Sequence, residues 1–344
     1  MKDNFGYTTI TYFISRAFFS GITSLSLITL VKQDGWISLV LAFILGIIPI
    51  YIFYKIASYD SELNIIKKIE KIFPKYGKYL NIILGIGILS IVLLNFWNLI
   101  NLITTQFLNK TPNLVIGISL IIPIILLISK ENKIIARVST ILFFLSIILV
   151  ITSIIGLFSK IQISNLKPYM ENNLLKGILP YISYNILPIF MILIFPNKYI
   201  KKSIINGYII SSISLFIGIF FLISILGVNL IILFQYPEFH LLKLAFDGFI
   251  TFRLENVLAI QWILDIFIFT TIGIKFCNES FKIKNNYIIP IIILILCNFI
   301  FPNNTLANII ISYYIPYIIP LFLLLIPIII LIKQKKRKYY FLKN

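Results

Sequence analysis

The run Phe13–Leu30, FISRAFFSGITSLSLITL, is apolar at both ends and small and polar in its middle. With its neighbours it forms a stretch, residues 8–31, of the length that crosses a bilayer as a helix. Its centre, Ser20-Gly21-Ile22-Thr23-Ser24, has weak helix propensity, and Arg16 lies just before it. A second run, Leu174–Pro196, LLKGILPYISYNILPIFMILIFP, shows the same kind of interruption. Pro180 and Pro188 each remove a backbone donor, and Ser183, Tyr184 and Asn185 lie between them. Breaks of this kind leave backbone N–H and C=O groups unpaired near the bilayer middle. Such groups can bind the carboxylate and ammonium of a small zwitterion. The plainer alternative is that Gly and Ser serve helix packing and the prolines only kink.

The rest of the chain fits this reading. Only 12 % of the 344 residues are charged and 59 % are hydrophobic, far from the balance of a water-soluble fold. Continuous apolar runs of about 20 residues recur, which points to an all-α polytopic membrane protein and not to a β-barrel. No small-residue cleavage motif ends the first run, so no signal peptide is expected. The net charge of +18 arises from basic residues in short loops and calls for no nucleic acid partner. Cys277 and Cys297 lie at or within apolar runs and read as packing residues.

Ten spans are expected, at 8–31, 36–57, 79–107, 113–129, 135–158, 175–196, 203–232, 254–276, 286–301 and 313–332. With the N-terminus in the cytoplasm, 21 Lys and Arg fall in cytoplasmic segments and seven outside, so both termini are expected to be cytoplasmic. The chain reads as one transmembrane domain, 1–344, whose halves, about 8–158 and 175–332, hold five spans each. An odd number per half gives opposite topologies, the layout of a five-plus-five inverted repeat with broken first and sixth helices.

Polar residues inside the spans are few. Span 3 carries Asn95, Asn98 and Asn101 on one side, facing the bundle interior or a cavity. Residues 57–79 are basic, with Leu63, Ile66, Ile69 and Ile72 at amphipathic spacing, and are expected to form a surface helix. The stretch Phe234–Asp265 crowds charge, aromatics and proline. Its first part, with His240, Lys243, Asp247 and Thr251 on one helical face, reads as an external, partly inserted helix. Arg253 and Glu255 stand at the mouth of span 8, and Asp265 lies near its middle. An Asp at a helix centre costs about 2.5–3.5 kcal/mol to insert. Arg16 lies about 12 Å and Asp265 about 16 Å from their cytoplasmic ends at 1.5 Å per residue, so a bridge between spans 1 and 8 is expected. The rival is Asp265 as a proton carrier with no partner. There is no phosphate-binding loop and no GxSxG. His240 is the single histidine, so neither a His-based metal site nor a His dyad is possible within the chain, and no cofactor is expected.

The ten-span layout, Gln33-Asp34-Gly35-Trp36, the Tyr236-Pro237 turn, and Arg253-Leu254-Glu255 followed by Trp262 resemble, in order and spacing, the endospore germination permease family. Its members are the B subunits of nutrient germinant receptors, within the amino acid–polyamine–organocation transporter superfamily. The resemblance covers essentially the whole chain. It implies residence in the spore inner membrane beside A and C subunits, and binding of a small nutrient, often an amino acid. It places the ligand at Ser20, Gly21, Ile22, Asn98, Tyr184, Asn185, Thr270 and Thr271. Where many relatives carry an acidic residue in the sixth span, this chain has Ser183-Tyr184-Asn185, which favours a neutral or zwitterionic ligand. Arg16, Arg253, Glu255 and Asp265 are the expected charge-coupling residues. A nutrient sensor is thus the leading reading. An amino-acid/proton transporter is the alternative, and a membrane enzyme is the weakest.

Overall fold

A computed structural model describes residues 2–19, 21, 24–196, 200–245, 254–300 and 304–343. Among them every regular element is helical. Seven helices are long and apolar enough to cross a membrane, and 113–128 and 288–299 are shorter apolar helices. The protein is an all-helical, multi-pass membrane protein.

Span 1 is made of α1 (Lys2–Arg16) and α2 (Ser24–Val31). A short 3-10 turn, Lys32–Asp34, leads into α3 (Gly35–Ser58), and Lys32 takes a positive φ of 49° at the corner. The amphipathic α4 (Ile65–Ile72) follows, then α5 (Gly77–Gln106), α6 (Asn113–Ile128) and α7 (Asn132–Leu157). In the second half, α8 (Leu175–Tyr181) rewinds into a π turn, Ile182–Ile186, and a 3-10 stretch, Leu187–Ile194. Next come α9 (Ile200–Leu233), α10 (Pro237–Leu244), α11 (Leu254–Ser280) and α12 (Ile288–Ile300). The chain ends with α13 (Asn304–Tyr313), α14 (Ile315–Pro320), a second π turn, Leu321–Leu325, and α15 (Ile326–Lys343).

The sixth span keeps a helical sense throughout. Pro188 has no N–H to give to Tyr184 four residues earlier, so the helix changes pitch there instead of opening into an extended gap. A helix before span 10, α13, is absent from the sequence-based expectation.

Packing follows a regular exchange. The helix α1 packs on α9 and α7, while the sixth span packs on α3 and α14. Likewise α11 packs on α5, α6 and α7, and α5 packs on α11, α12 and the Leu321–Leu325 turn. Replacing each span by the one five places along converts one set of contacts into the other.

Asp34 explains part of the Gln33–Trp36 motif. It is fully buried and accepts hydrogen bonds from Met170 N at 2.7 Å and from Asn172 N and Nδ2, both at 3.0 Å. Gln33 Nε2 donates to Pro168 O at 3.0 Å, and Trp36 meets Tyr169 edge to face. The motif therefore fastens the long loop before α8 to the start of span 2. Asp34→Ala leaves three donors without their acceptor, and we expect a loss of about 3 kcal/mol. Thermal unfolding in detergent, with faster proteolysis within residues 159–174, checks this.

The amphipathic α4 lies against the bundle with Lys68 buried. Lys68 Nζ donates to Ile56 O at 3.1 Å. Burial lowers its pKa from 10.5 to about 8, with Asp60 opposing and Lys201 adding to the shift. The docked helix holds a neutral lysine where the undocked one is still protonated. Docking therefore releases a proton and tightens as pH rises from about 8 toward 10.5. Protection of α4 from proteolysis should increase between pH 7.5 and 9.5, and Lys68→Met should abolish that dependence.

Candidate functional site

Buried polar and charged side chains gather around the break in span 1. α1 ends at Arg16, and Gly21 takes φ +69°, which suits glycine alone. A Cβ on Gly21 would also lie 2.6 Å from the Tyr236 ring. The Tyr236–Glu238 turn before and at the start of α10 thus inserts directly against the break. Gly21 N donates to Glu238 Oε1 at 3.0 Å, so a buried carboxylate takes up an amide that the interrupted helix releases. The Tyr236 hydroxyl donates to Asn98 O at 3.2 Å and accepts from Asn101 Nδ2 at 2.9 Å. Two members of the asparagine stripe on span 3 are therefore joined to the turn before α10.

One turn before the break, Arg16 Nε stands 3.2 Å from Asp265 Oδ2, with both side chains almost fully buried. Arg16 also donates to Ser214 on α9 and lies 5.2 Å from the centre of the Tyr12 ring. One guanidinium thus ties α1 to α9 and α11 together. Arg16 thus engages Asp265 Oδ2, while the buried Asp265 Oδ1 has no hydrogen-bond partner among the described residues.

The remaining expected ligand residues divide. The Tyr184 hydroxyl donates to Ile311 O, and Ser183 Oγ to Pro316 O at 2.6 Å. The π turn directs these groups at α13 and α14. Thr271 Oγ1 bonds back to Phe267 O at 2.8 Å, a local helix contact. Asn185 and Thr270 are different. Both are fully buried, and neither the Asn185 amide nor the Thr270 hydroxyl has a hydrogen-bond partner among the described residues. The same holds for Asn95. Ser20, Ile22 and Arg253 lie outside the described residues, as does the Glu255 side chain.

Packing brings these three polar side chains to one level. Gly85 meets Ser280 and Phe281, and Gly273 meets Val92, so α5 and α11 run antiparallel. Asn95 and Thr270 each stand three residues on from the Val92–Gly273 contact, on facing sides. Phe269 packs on Phe18, Phe18 packs on Tyr184, and Ser15 Oγ donates to Asn185 O at 2.7 Å. Unpaired amides are costly in a membrane interior. A cluster of them beside a helix break can hydrogen-bond both ends of a small polar molecule. Among the described residues no three His, Cys, Asp or Glu side chains gather as metal ligands.

Sequence reasoning missed Glu238 and Ser214, and gave the Tyr236-Pro237 turn no contact with span 1. The available signal was a lone acidic residue in an aromatic, proline-marked turn.

If the Arg16–Asp265 contact is a buried pair, Arg16→Gln and Asp265→Asn each cost about 3–5 kcal/mol. The double variant should fall short of the sum by 1 kcal/mol or more. Thermal unfolding of the four proteins checks this, and strict additivity would refute the pairing.

The family described as spore germination protein, a permease family, matches residues 7–309. The candidate spore germination protein YfkT of Bacillus subtilis (strain 168) is 25 % identical over 316 residues, covering 84 % of this chain and 86 % of the relative. A helical, multi-pass bundle with an interrupted first span and a family match across most of its length belongs to the spore germination permease family.

Proposed function

We propose that this protein is the B subunit of a nutrient germinant receptor. It binds a small germinant, an amino acid or similar zwitterion, and passes the event to A and C subunits in the spore inner membrane. Both termini lie in the cytoplasm, and the halves at about 8–158 and 175–332 form an inverted repeat, which the exchange of packing contacts supports. No catalytic step, metal or cofactor is part of this reading. The observation that carries it is the cluster of Asn95, Asn185 and Thr270, buried and unpartnered at the level of the span-1 break.

Binding at this cluster acts on the bundle by a short route. Asn185 and Thr270 each follow a residue whose ring meets Phe18, namely Tyr184 and Phe269, and Phe18 leads into the break held by Glu238 and Tyr236. The alternative is an amino-acid/proton transporter using Asp265 as the coupling group. Asp265 Oδ2 is engaged by Arg16, so coupling through Asp265 would require that contact to open. Accumulation of labelled amino acid by vesicles containing the protein would establish transport.

Germination supplies the decisive test. Spores carrying Asn95→Leu or Asn185→Leu should need about tenfold more of the nutrient for half-maximal response, the effect of losing about 1.4 kcal/mol of binding. Protein levels in the membrane should be unchanged. Spores lacking the protein that germinate normally on every nutrient would overturn the receptor reading.

A further inference from the structure

We propose that a second small-molecule site lies on the opposite flank of the break, between α7, α9, α10 and α11, and that it takes a small zwitterion with an apolar side chain. The cavity there has a volume of about 70 Å³ behind an open mouth. At roughly 10–15 Å³ per water that is room for about five waters or a small molecule in their place. Its polar wall is formed by Arg16, Ser214, Glu238 and Gln261, with Trp262 beside them. Arg16, Glu238, Gln261 and Trp262 are all more than nine-tenths buried. Most of the remaining wall is apolar, including Ile154, Phe221 and Leu241.

This lining selects by chemistry. A guanidinium and a carboxylate on the same wall match the two ends of a zwitterion, and Gln261 can donate to one end and accept from the other. The apolar wall matches an aliphatic or aromatic body. A lipid tail would lie against buried charge, and a simple ion would leave the apolar wall unfilled.

The same two charged side chains hold the break. Arg16 faces Asp265 and Ser214, and Glu238 accepts from Gly21 N. A carboxylate reaching Arg16 competes with Asp265. An ammonium reaching Glu238 competes with the Gly21 amide. Occupancy is therefore felt at span 1 without contact with Asn95, Asn185 or Thr270, and the site stands whether or not those residues hold a germinant.

Trp262 is one of three tryptophans and is the one lining the cavity. The full chain in lipid nanodiscs, with Trp36→Phe and Trp97→Phe, is titrated with L-leucine. We expect a saturable change in Trp262 emission that neither N-acetyl-leucine amide nor isopentylamine reproduces. Gln261→Leu should weaken it at least tenfold, and Asn185→Leu should leave it unchanged, which separates this site from the central one. No saturable change in a protein with an intact unfolding transition would overturn the proposal. So would an equal response to the uncharged amide, or a response to nanodisc lipid composition alone. Equilibrium dialysis of labelled leucine needs no tryptophan replacement. Ile154→Trp should remove one bound leucine per chain, and unchanged stoichiometry would likewise overturn the proposal.

Discussion

A helix interrupted inside a bilayer releases backbone amides where no water can take them, and each must find a partner within the protein. That constraint organises this molecule. Span 1 stops at Arg16, turns through Gly21 and resumes at Ser24. The Gly21 amide is taken by Glu238, a residue 217 positions away, and the space a Cβ would need is filled by Tyr236. Arg16, at the edge of the same break, joins α9 and α11 through Ser214 and Asp265. The segment between spans 7 and 8 is thereby part of the bundle core as well as a connection.

The two flanks of the break differ in kind. Towards spans 3, 6 and 8 lie neutral amides and a hydroxyl without partners, framed by Phe18 and Phe269. Towards spans 5, 7 and 8 lie charges that are already engaged, beside a largely apolar wall. On the proposed binding, the neutral cluster would be occupied without breaking an existing contact, and the charged wall with committed partners only by exchange, which would suit it to altering the state of span 1.

Much of this was legible from the sequence because helices act as rulers. Depth arithmetic at 1.5 Å per residue set Arg16 and Asp265 at compatible levels, and the structure places them 3.2 Å apart. The weak middle of span 1 and the paired prolines of the sixth span marked both interruptions. What they could not give was form. Pro188 produces a change of pitch, and the polar groups beside it point at α13 and α14, elements whose position is set by tertiary packing. The contribution of Glu238 was hidden for a related reason. A turn has no periodicity, so the sequence does not say which helix it meets. Asp34 illustrates the same limit: the motif was conspicuous, but its partners lie in a loop some 136 positions later.

The Glu238–Gly21 bond also dictates an order of events during synthesis. Span 1 leaves the ribosome long before the residues that complete it exist. More than 200 residues must follow before the acceptor for its free amide arrives. Until then the first span must lean on lipid headgroups, water in the insertion machinery, or a different and more continuous winding. The interrupted form is therefore a late state of the N-terminal half, installed by the C-terminal half. The two halves mature as one unit, with span 1 the first segment inserted and among the last to take its final shape.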